Sequence, residues 1–163
     1  MQLTEVFQTL QDLPLSQAIT GSAVIFPWIE SFHVLAITFV VGSIAMVDLR
    51  LLGVSMFGDA IARMTREIVP WTLAAFSVAA VTGGLLFMSN AMRYWGNGYF
   101  RAKLVMLLLA GLNMLVFHFG AGRKLVDLPA DAPIPAAARL AGFLSLAFWV
   151  VIVVLGRWVG FTL

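Results

Sequence analysis

The sequence contains no cysteine and few charged side chains: of 163 residues, ten are Lys or Arg, eight are Asp or Glu, and two are His. Without thiols there is no disulfide framework, no thiolate metal site and no thiol redox chemistry. Charged residues make up 11% of the chain and hydrophobic residues 61%, whereas soluble proteins are roughly 25% charged. The net charge is only +2 and the basic residues form no continuous patch, so no nucleic-acid partner is indicated. We therefore predict an integral membrane protein in contact with the lipid bilayer.

The N-terminal segment contains no Lys or Arg, and Glu5 and Asp12 interrupt its apolar residues. A cleavable signal peptide needs a basic region and an uninterrupted apolar core, so we expect the spans themselves to direct membrane insertion. The apolar residues of 3–13 recur at helical spacing, which predicts a short interfacial helix that ends at Pro14. Residues 15–22 are compatible with a second short piece.

Four long apolar segments follow, and each exceeds the roughly 20 residues that a helix needs to cross a bilayer. Their predicted bounds are 27–52, 69–92, 100–121 and 135–160. Pro27 and Pro70 fall in the first turn of the first two spans, where proline is tolerated. Because the loops are short and no soluble segment intervenes, residues 1–163 form a single domain. The predicted fold class is all-α, an integral membrane four-helix up-down-up-down bundle with a short N-terminal interfacial helix.

Basic residues are unevenly divided between the two sides of this topology. Six lie in the first and third loops and four on the other side: Arg50, Arg63, Arg66, Arg123, Lys124 and Arg139 against Arg93, Arg101, Lys103 and Arg157. The first loop also contains Asp59, and the third is a proline-rich linker that includes Pro129. Because short loops rich in Lys and Arg stay in the cytoplasm, both termini are predicted to lie outside. In a bacterial inner membrane, that side is the periplasm.

The only ionisable side chains between Pro27 and Val47 are Glu30 and His33. Since they are three residues apart, they lie on one face of the predicted helix. An ionisable pair inside a membrane span is costly, faces the protein interior and is the default candidate for a functional site. The alternative is structural, with His33 in a hydrogen bond between helices and Glu30 as a helix N-terminal charge.

The third span runs parallel to the first, so polar residues of the two can be compared by depth at about 1.5 Å per residue. Lys103 is predicted near the level of His33, about 9 Å inside the membrane edge. His118 comes fifteen residues after Lys103, and Asp48 comes fifteen residues after His33. The two histidines are therefore predicted about 15 to 20 Å apart along the bundle axis, too far to ligate one iron from opposite sides.

Two polar clusters result, one in each leaflet. The outer cluster contains Glu30, His33, Lys103 and Arg101, and the inner cluster contains Asp48, Arg50, Asn113, His118, Arg123 and Lys124. They predict two polar sites, or one site and a structural ion-pair network in which Asp48 pairs with Arg50. Lys103 either pairs with an anionic ligand such as a propionate, or anchors the third span at the membrane boundary. His118 is a second ligand, or a snorkelling residue that caps the helix end.

Several short motifs resemble a large group of bacterial four-helix membrane proteins. They are Trp28-x-x-x-Phe32-His33, Gly42, the run from Asp48 to Gly53, Thr82-Gly83, the run from Phe100 to Leu104, and Gly156-Arg157-Trp158. Together they span nearly the whole chain and resemble an uncharacterised domain-of-unknown-function family. More distantly, the first span and the lysine-led third span are similar to the CopD copper-resistance membrane domain and to the HemJ-type protoporphyrinogen oxidase.

The resemblance to the HemJ type implies haem b, with His33 as an axial iron ligand and Lys103 as a polar group in the same cavity. His118 follows Lys103 at a longer interval than the third-span histidine of that family does, and Asn113 lies closer to that interval. Porphyrinogen oxidation itself is therefore not assigned. We expect an oxidoreductase component that transfers single electrons with a quinone or a periplasmic redox partner, in which Glu30 orients the His33 imidazole.

Two other functions stay open. In a copper or small-solute permease component of the CopD kind, His33 passes Cu(I) along a continuous polar path that reaches Asp48 and His118. A membrane anchor subunit needs neither a path nor a cofactor slot. The haem interpretation requires a slot near His33 lined by small residues, such as Gly42, Gly83, Gly84 and Gly142. A homo-oligomer is compatible with all three functions.

Overall fold

The computed structural model describes residues 3–54, 61–125 and 133–163, and the regular structure in these ranges is entirely helical. The helices are α1 Leu3–Gln11, α2 Pro14–Gly21, α3 Ile25–Leu51, α4 Ile61–Ser89, α5 Ala91–Gly96, α6 Gly98–Phe119, α7 Ala121–Leu125 and α8 Ala136–Thr162. This confirms the predicted all-α class. Asp59 in the first predicted loop and Pro129 in the predicted linker lie outside the described residues.

Among the described helices, four are long and apolar enough to cross a membrane, namely Ile25–Leu51, Met64–Ser89, Gly98–Phe119 and Ala136–Thr162. They coincide with the four predicted spans. Their outward faces carry large apolar side chains that are mostly exposed, such as Leu35 at 66%, Trp71 at 70% and Val116 at 73%. Such faces are stable against hydrocarbon rather than water, so the chain is a multi-pass membrane protein.

Helix α4 begins eight residues before the predicted second span and continues through Pro70. Met64, in the added N-terminal part, is buried, so this part packs against the rest of the molecule. Proline removes one helical N–H group, and membrane helices tolerate this when other groups satisfy the freed carbonyl. Helix α4 ends at Ser89, because Asn90 leaves the helical conformation before the short helix α5 begins.

The long helices pack in the spatial order α4, α3, α8, α6, and each is antiparallel to its neighbours. Helix α3 packs against both α4 and α8, whereas α6 packs mainly against α8. In the described part of the chain, α4 and α6 are not packed closely against each other. The up-down-up-down bundle therefore has a seam between α4 and α6, with α3 and α8 behind it.

Helices α1, α2 and α5 cover the end of the bundle at which α3 begins and α8 ends, here named the capped end. Ser16 Oγ donates to the carbonyl of Met88 at 2.7 Å, and Thr20 Oγ1 donates to the carbonyl of Ser89 at 3.0 Å. The predicted N-terminal helix is thus present as α1, and the predicted second short segment is present as α2. Pro14 is the first residue of α2 rather than the end of α1.

At the opposite end, a small buried cluster joins α3, α7 and α8. It consists of Leu51, Leu125 and Ala138, surrounded by the partly buried Val47, Phe117, Ala121 and Ile134. This cluster holds α7 and the start of α8 against the last turn of α3.

Candidate functional site

His33 lies on α3 with its imidazole directed at α4. Its Nδ1 is 3.0 Å from Thr82 Oγ1, and that hydroxyl donates to the carbonyl of Val78 at 2.7 Å. When the hydroxyl proton of Thr82 is on the Val78 carbonyl, its oxygen can accept a hydrogen bond from an Nδ1–H of His33. This geometry is compatible with a proton on Nδ1, the tautomer of histidine in which Nε2 can bind a metal.

The His33 ring is pressed against the backbone of α4 at Gly83. A Cβ atom on residue 83 would lie 2.9 Å from His33 Cε1 and 3.4 Å from Nδ1. Because real Cβ atoms do not approach other heavy atoms this closely, only glycine admits the ring here. Thr82 and Gly83 therefore act together, since one holds Nδ1 and the other gives the ring its space.

Lys103 of α6 reaches the same region from the other side of the seam. The Lys103 side chain packs directly on Gly156 of α8. If residue 156 had a Cβ atom, that atom would lie 3.4 Å from Lys103 Nζ, and the Lys103 methylene groups would lie within 4 Å of it. Lys103 is also close enough to interact electrostatically with His33. Lys103 and His33 thus lie within electrostatic range of each other, as their similar predicted depths led us to expect. We name His33, Thr82, Gly83, Lys103 and Gly156 the His33 site.

An aromatic cluster closes the seam between the His33 site and the capped end. The rings of Phe87 on α4 and Phe100 on α6 are stacked, with 5.5 Å between their centroids. Tyr94 of α5 packs edge-on against Phe100 at 5.3 Å. Burial raises the pKa of the Tyr94 phenol, and the negative charge of Glu30 raises that pKa further. Glu30 is therefore near the aromatic cluster.

The other two predicted members of the outer cluster are exposed. The hydrogen-bond partner of the His33 ring is Thr82 and not Glu30, so the expectation that Glu30 orients the imidazole is corrected. The reason is geometric, because a hydroxyl on the facing helix reaches the ring while Glu30 one turn away points to the surface. Arg101 is exposed on the first turns of α6.

The predicted inner cluster does not form one site. Asp48 is 5% exposed and accepts a hydrogen bond from Ser145 of α8. Asn113 Nδ2 of α6 donates to the carbonyl of Ala141, one turn away on α8, at 2.9 Å. His118 is exposed, and its ring contacts Phe119 at 5.3 Å. The side chains of Asp48 and Asn113 thus meet the same part of α8, and His118 lies outside it.

The expected ion pair between Asp48 and Arg50 stays a prediction. Asp48 Oδ2 has no hydrogen-bond partner among the described residues. The two side chains are two residues apart on α3, which places them on different faces of the helix. The Asp48 carboxyl instead faces α8, where Ser145 donates to it.

The arrangement of donors limits which metal sites the described residues can form. In the described ranges, no three His, Asp or Glu side chains come close enough together to hold a metal ion. The histidines do not converge either, since His33 lies at Thr82 and Gly83 while His118 lies on the outside of α6 near its end. Within the described ranges, His33 is therefore not part of a group of three His, Asp or Glu side chains that could share a metal ion.

Residues 17–162 match a family of unknown function, DUF6644. The chain belongs to the DUF6644 family. No curated protein and no solved structure matches it. The DUF6644 match runs from α2 to the last residue of α8 and includes every member of the His33 site. The predicted membership of a domain-of-unknown-function family is confirmed, while the distant resemblance to CopD and HemJ stays a prediction.

Three residues with clear roles in this DUF6644 chain were not predicted as site residues. Thr82 was noted only as part of a motif with Gly83, without a link to His33, whereas Gly83 was among the small residues expected near His33. Gly156 was noted only as part of a motif, yet it makes room for Lys103. A hydroxyl next to a glycine in a span with no charged residue was the available signal for Thr82, and no sequence signal tied Gly156 to Lys103.

Proposed function

We propose that the protein binds haem b in the membrane through His33 and transfers single electrons as an oxidoreductase component. The proposal rests mainly on the contacts that α4 makes with the His33 ring. Thr82 contacts Nδ1 and Gly83 gives the ring its space against α4, so a proton on Nδ1 would leave Nε2 as the metal ligand. Histidines that ligate metals have their second ring nitrogen bound in this way.

The number of protein donors favours haem over a bare metal ion. A porphyrin supplies four nitrogen ligands, so one axial histidine is enough to hold haem iron. A bare ion needs several protein ligands, and the described residues contain no group of three His, Asp or Glu that could hold one. Bound copper would require further ligands, such as methionine sulfurs, in addition to His33, so copper is the second candidate.

The remaining residues of the His33 site would bind and orient the group. Lys103 is a cation partly buried in the seam, and it would pair with a haem propionate. Gly156 leaves room for the Lys103 side chain, and the hydroxyl of Thr82 would keep the imidazole at a fixed angle. Haem b, when bound, supplies a reversible one-electron couple whose potential depends on axial ligation, hydrogen bonding and burial.

Electron exchange is proposed to take place with a quinone in the bilayer or with a periplasmic protein. The His33 site lies in the half of the bundle nearer the capped end, since His33 is in the third turn of α3. With both termini in the periplasm of a bacterial inner membrane, as the distribution of basic loops predicts, this half is the periplasmic half.

The reduced-minus-oxidised visible spectrum of the purified full chain, produced with ample haem supply, tests the proposal. We expect the α-band of haem b in the native chain and in His118→Ala, and its loss in His33→Ala. Metal analysis is made on the same samples. A colourless native protein contradicts the haem proposal, and stoichiometric copper that His33→Ala abolishes would support the second candidate.

Replacement of Thr82 separates a ligand role of His33 from a packing role. Thr82→Val removes the acceptor for Nδ1–H at nearly constant volume, and we expect haem affinity to fall by about 10- to 100-fold. Thr82→Ser keeps the hydroxyl and should keep the affinity. Thr38→Val is the matched control, because Thr38 makes the same hydroxyl-to-carbonyl bond on α3 without contacting a histidine. Equal affinity in Thr82→Val and Thr38→Val would contradict the assigned role.

A further inference from the structure

The seam between α4 and α6 passes directly by the His33 site. At the capped end of the seam, the stacked rings of Phe87 and Phe100 bridge the two helices. Gly83, on which the His33 ring lies, is one turn before Phe87 on α4, and Lys103 is one turn after Phe100 on α6. Because α4 and α6 are antiparallel, both positions lie on the membrane side of the aromatic pair. The His33 site is therefore at the seam, immediately below these rings.

Further into the membrane, the same faces of α4 and α6 do not close on each other. Ala80 lies two turns from Phe87 on α4 and is exposed. Leu104 lies one turn from Phe100 on α6 and is 40% exposed. Gly111, two turns further along α6, has no heavy atom within 4 Å of the position that a Cβ atom would take. We name the open space between these faces the α4–α6 groove, bordered by Ala80, Gly83, Lys103, Leu104 and Gly111.

The capped end, in contrast, separates the His33 site from water. Helices α1, α2 and α5 cover it, and Ser16, Ile19 and Ala91 are buried where they pack. A water-soluble protein that docks at this end would meet the outer surfaces of these helices and not the His33 ring. The other three contacts between neighbouring long helices, α3–α4, α3–α8 and α6–α8, are closely packed. In the described part of the chain, the α4–α6 groove is therefore the open approach to the site, and it faces the hydrocarbon.

We propose that the α4–α6 groove admits and binds a lipid-soluble quinone from the bilayer. This inference rests on the proposed function, which names a quinone and a periplasmic protein as alternative partners of the His33 site. The ring and tail of a quinone are apolar, as are the exposed side chains along the groove, and its carbonyl oxygens accept hydrogen bonds. Tyr94 offers a donor, because its ring packs edge-on against Phe100 where the groove ends and its hydroxyl can donate to a carbonyl.

Photolabelling of the full chain in lipid vesicles that contain an azido-quinone tests the proposal. Mass spectrometry should place the label on the α4 and α6 segments that border the groove, and an excess of unmodified quinone should suppress it. Ala80→Trp fills the groove and should abolish this competed labelling. Ala74→Trp is the matched control, because Ala74 is also exposed on α4 but faces about 120° away from Ala80. The control should be labelled like the native chain.

Labelling that unmodified quinone does not suppress, or competed labelling that Ala80→Trp retains, overturns the proposal. If Ala80→Trp does not fold, Gly111→Trp fills the groove from α6, with Gly160→Trp on α8 as its control, since both glycines have open space at the Cβ position. The visible spectrum of the same samples separates the two proposals. A haem band without competed labelling contradicts the quinone site alone, whereas competed labelling in a colourless protein contradicts the haem proposal and supports the groove.

Discussion

Single glycines determine where the functional side chains lie. The predicted slot of small residues near His33 included Gly42, Gly83, Gly84 and Gly142. Only Gly83 of this set contacts the His33 ring, and Gly142 instead meets Leu51 and the backbone of Asp48. Gly42 and Gly84 have open space where a side chain would be. The need for glycine thus depends on the residue opposite, and composition alone does not reveal it.

Gly83→Ala should therefore displace the His33 ring, whereas Gly84→Ala should not. The added Cβ would lie 2.9 Å from His33 Cε1, and overpacking of this kind costs about 1 to 3 kcal/mol. The neighbouring Gly84 has no heavy atom within 4 Å, so its replacement should change stability by less than about 1 kcal/mol. Thermal unfolding and haem content of the two purified variants provide the comparison. Equal behaviour of the two would mean that His33 does not lie on Gly83.

Tyr94 should titrate at an unusually high pH, and Glu30 should contribute to this. Burial and the charge of Glu30 both raise its pKa, so the folded protein holds the phenolic proton more tightly than the unfolded chain does. The resulting stabilisation is complete below the unfolded pKa of about 10 and is lost as the pH rises through the folded pKa. Alkaline unfolding should begin in this window.

The chain has two tyrosines, so ultraviolet absorbance of the Tyr99→Phe variant follows Tyr94 alone. Adding Glu30→Gln should lower the Tyr94 pKa, although burial should keep it above about 10. Glu67→Gln, at the other end of the molecule, serves as the control and should leave it unchanged. A titration that Glu30→Gln does not move would show that Glu30 lies away from the phenol.

At the scale of helices, contacts between small residues and backbone set the distance between α3 and α8. Gly142 is buried on α8 and faces Leu51 and the Asp48 carbonyl. In membranes, where lipid competes for apolar surface, close packing of small residues is a main source of helix association. The α3–α8 contact also connects the pair α3 and α4 to the pair α6 and α8.

Gly142→Ala should therefore weaken the association of the two helix pairs. Its Cβ would lie 3.0 Å from Leu51 Cβ, which we expect to cost about 1 to 3 kcal/mol. Gly160→Ala is the matched control on the same helix, because residue 160 has no heavy atom within 4 Å. Unfolding by a denaturing detergent measures both. A Gly142→Ala chain as stable as Gly160→Ala would contradict the close contact.

For the whole molecule, the predicted topology places the capped end outside the cell. The absence of cysteine makes single-cysteine variants unambiguous reporters of sidedness. In bacterial cells that express the full chain, a membrane-impermeant maleimide should label Gln8→Cys on exposed α1 and should not label Arg66→Cys on exposed α4 until the cells are opened. The reverse pattern would invert the topology and place the His33 site nearer the cytoplasm.

Much of the fold and part of the site could be predicted from sequence. The four spans, the short N-terminal helices and the common depth of His33 and Lys103 follow from helical periodicity and a fixed rise per residue. The partners of polar groups could not be predicted. Glu30 was predicted to orient His33, but the ring is bound by Thr82, and the donor that faces Asp48, Ser145, was not predicted. The predictions chose neighbours in sequence, whereas Thr82 and Ser145 lie on another helix.

The sequence by itself determined that this is a helical membrane protein, because a bilayer offers no partners to backbone groups and apolar segments of this length satisfy them within a helix. It also determined that at least one ionisable side chain would face the interior. Only the tertiary structure decided the order α4, α3, α8, α6 and the rotation of each helix about its axis. Those two choices bring Thr82 to His33, Gly156 to Lys103 and Ser145 to Asp48, because a short side chain reaches only the helix against which it packs.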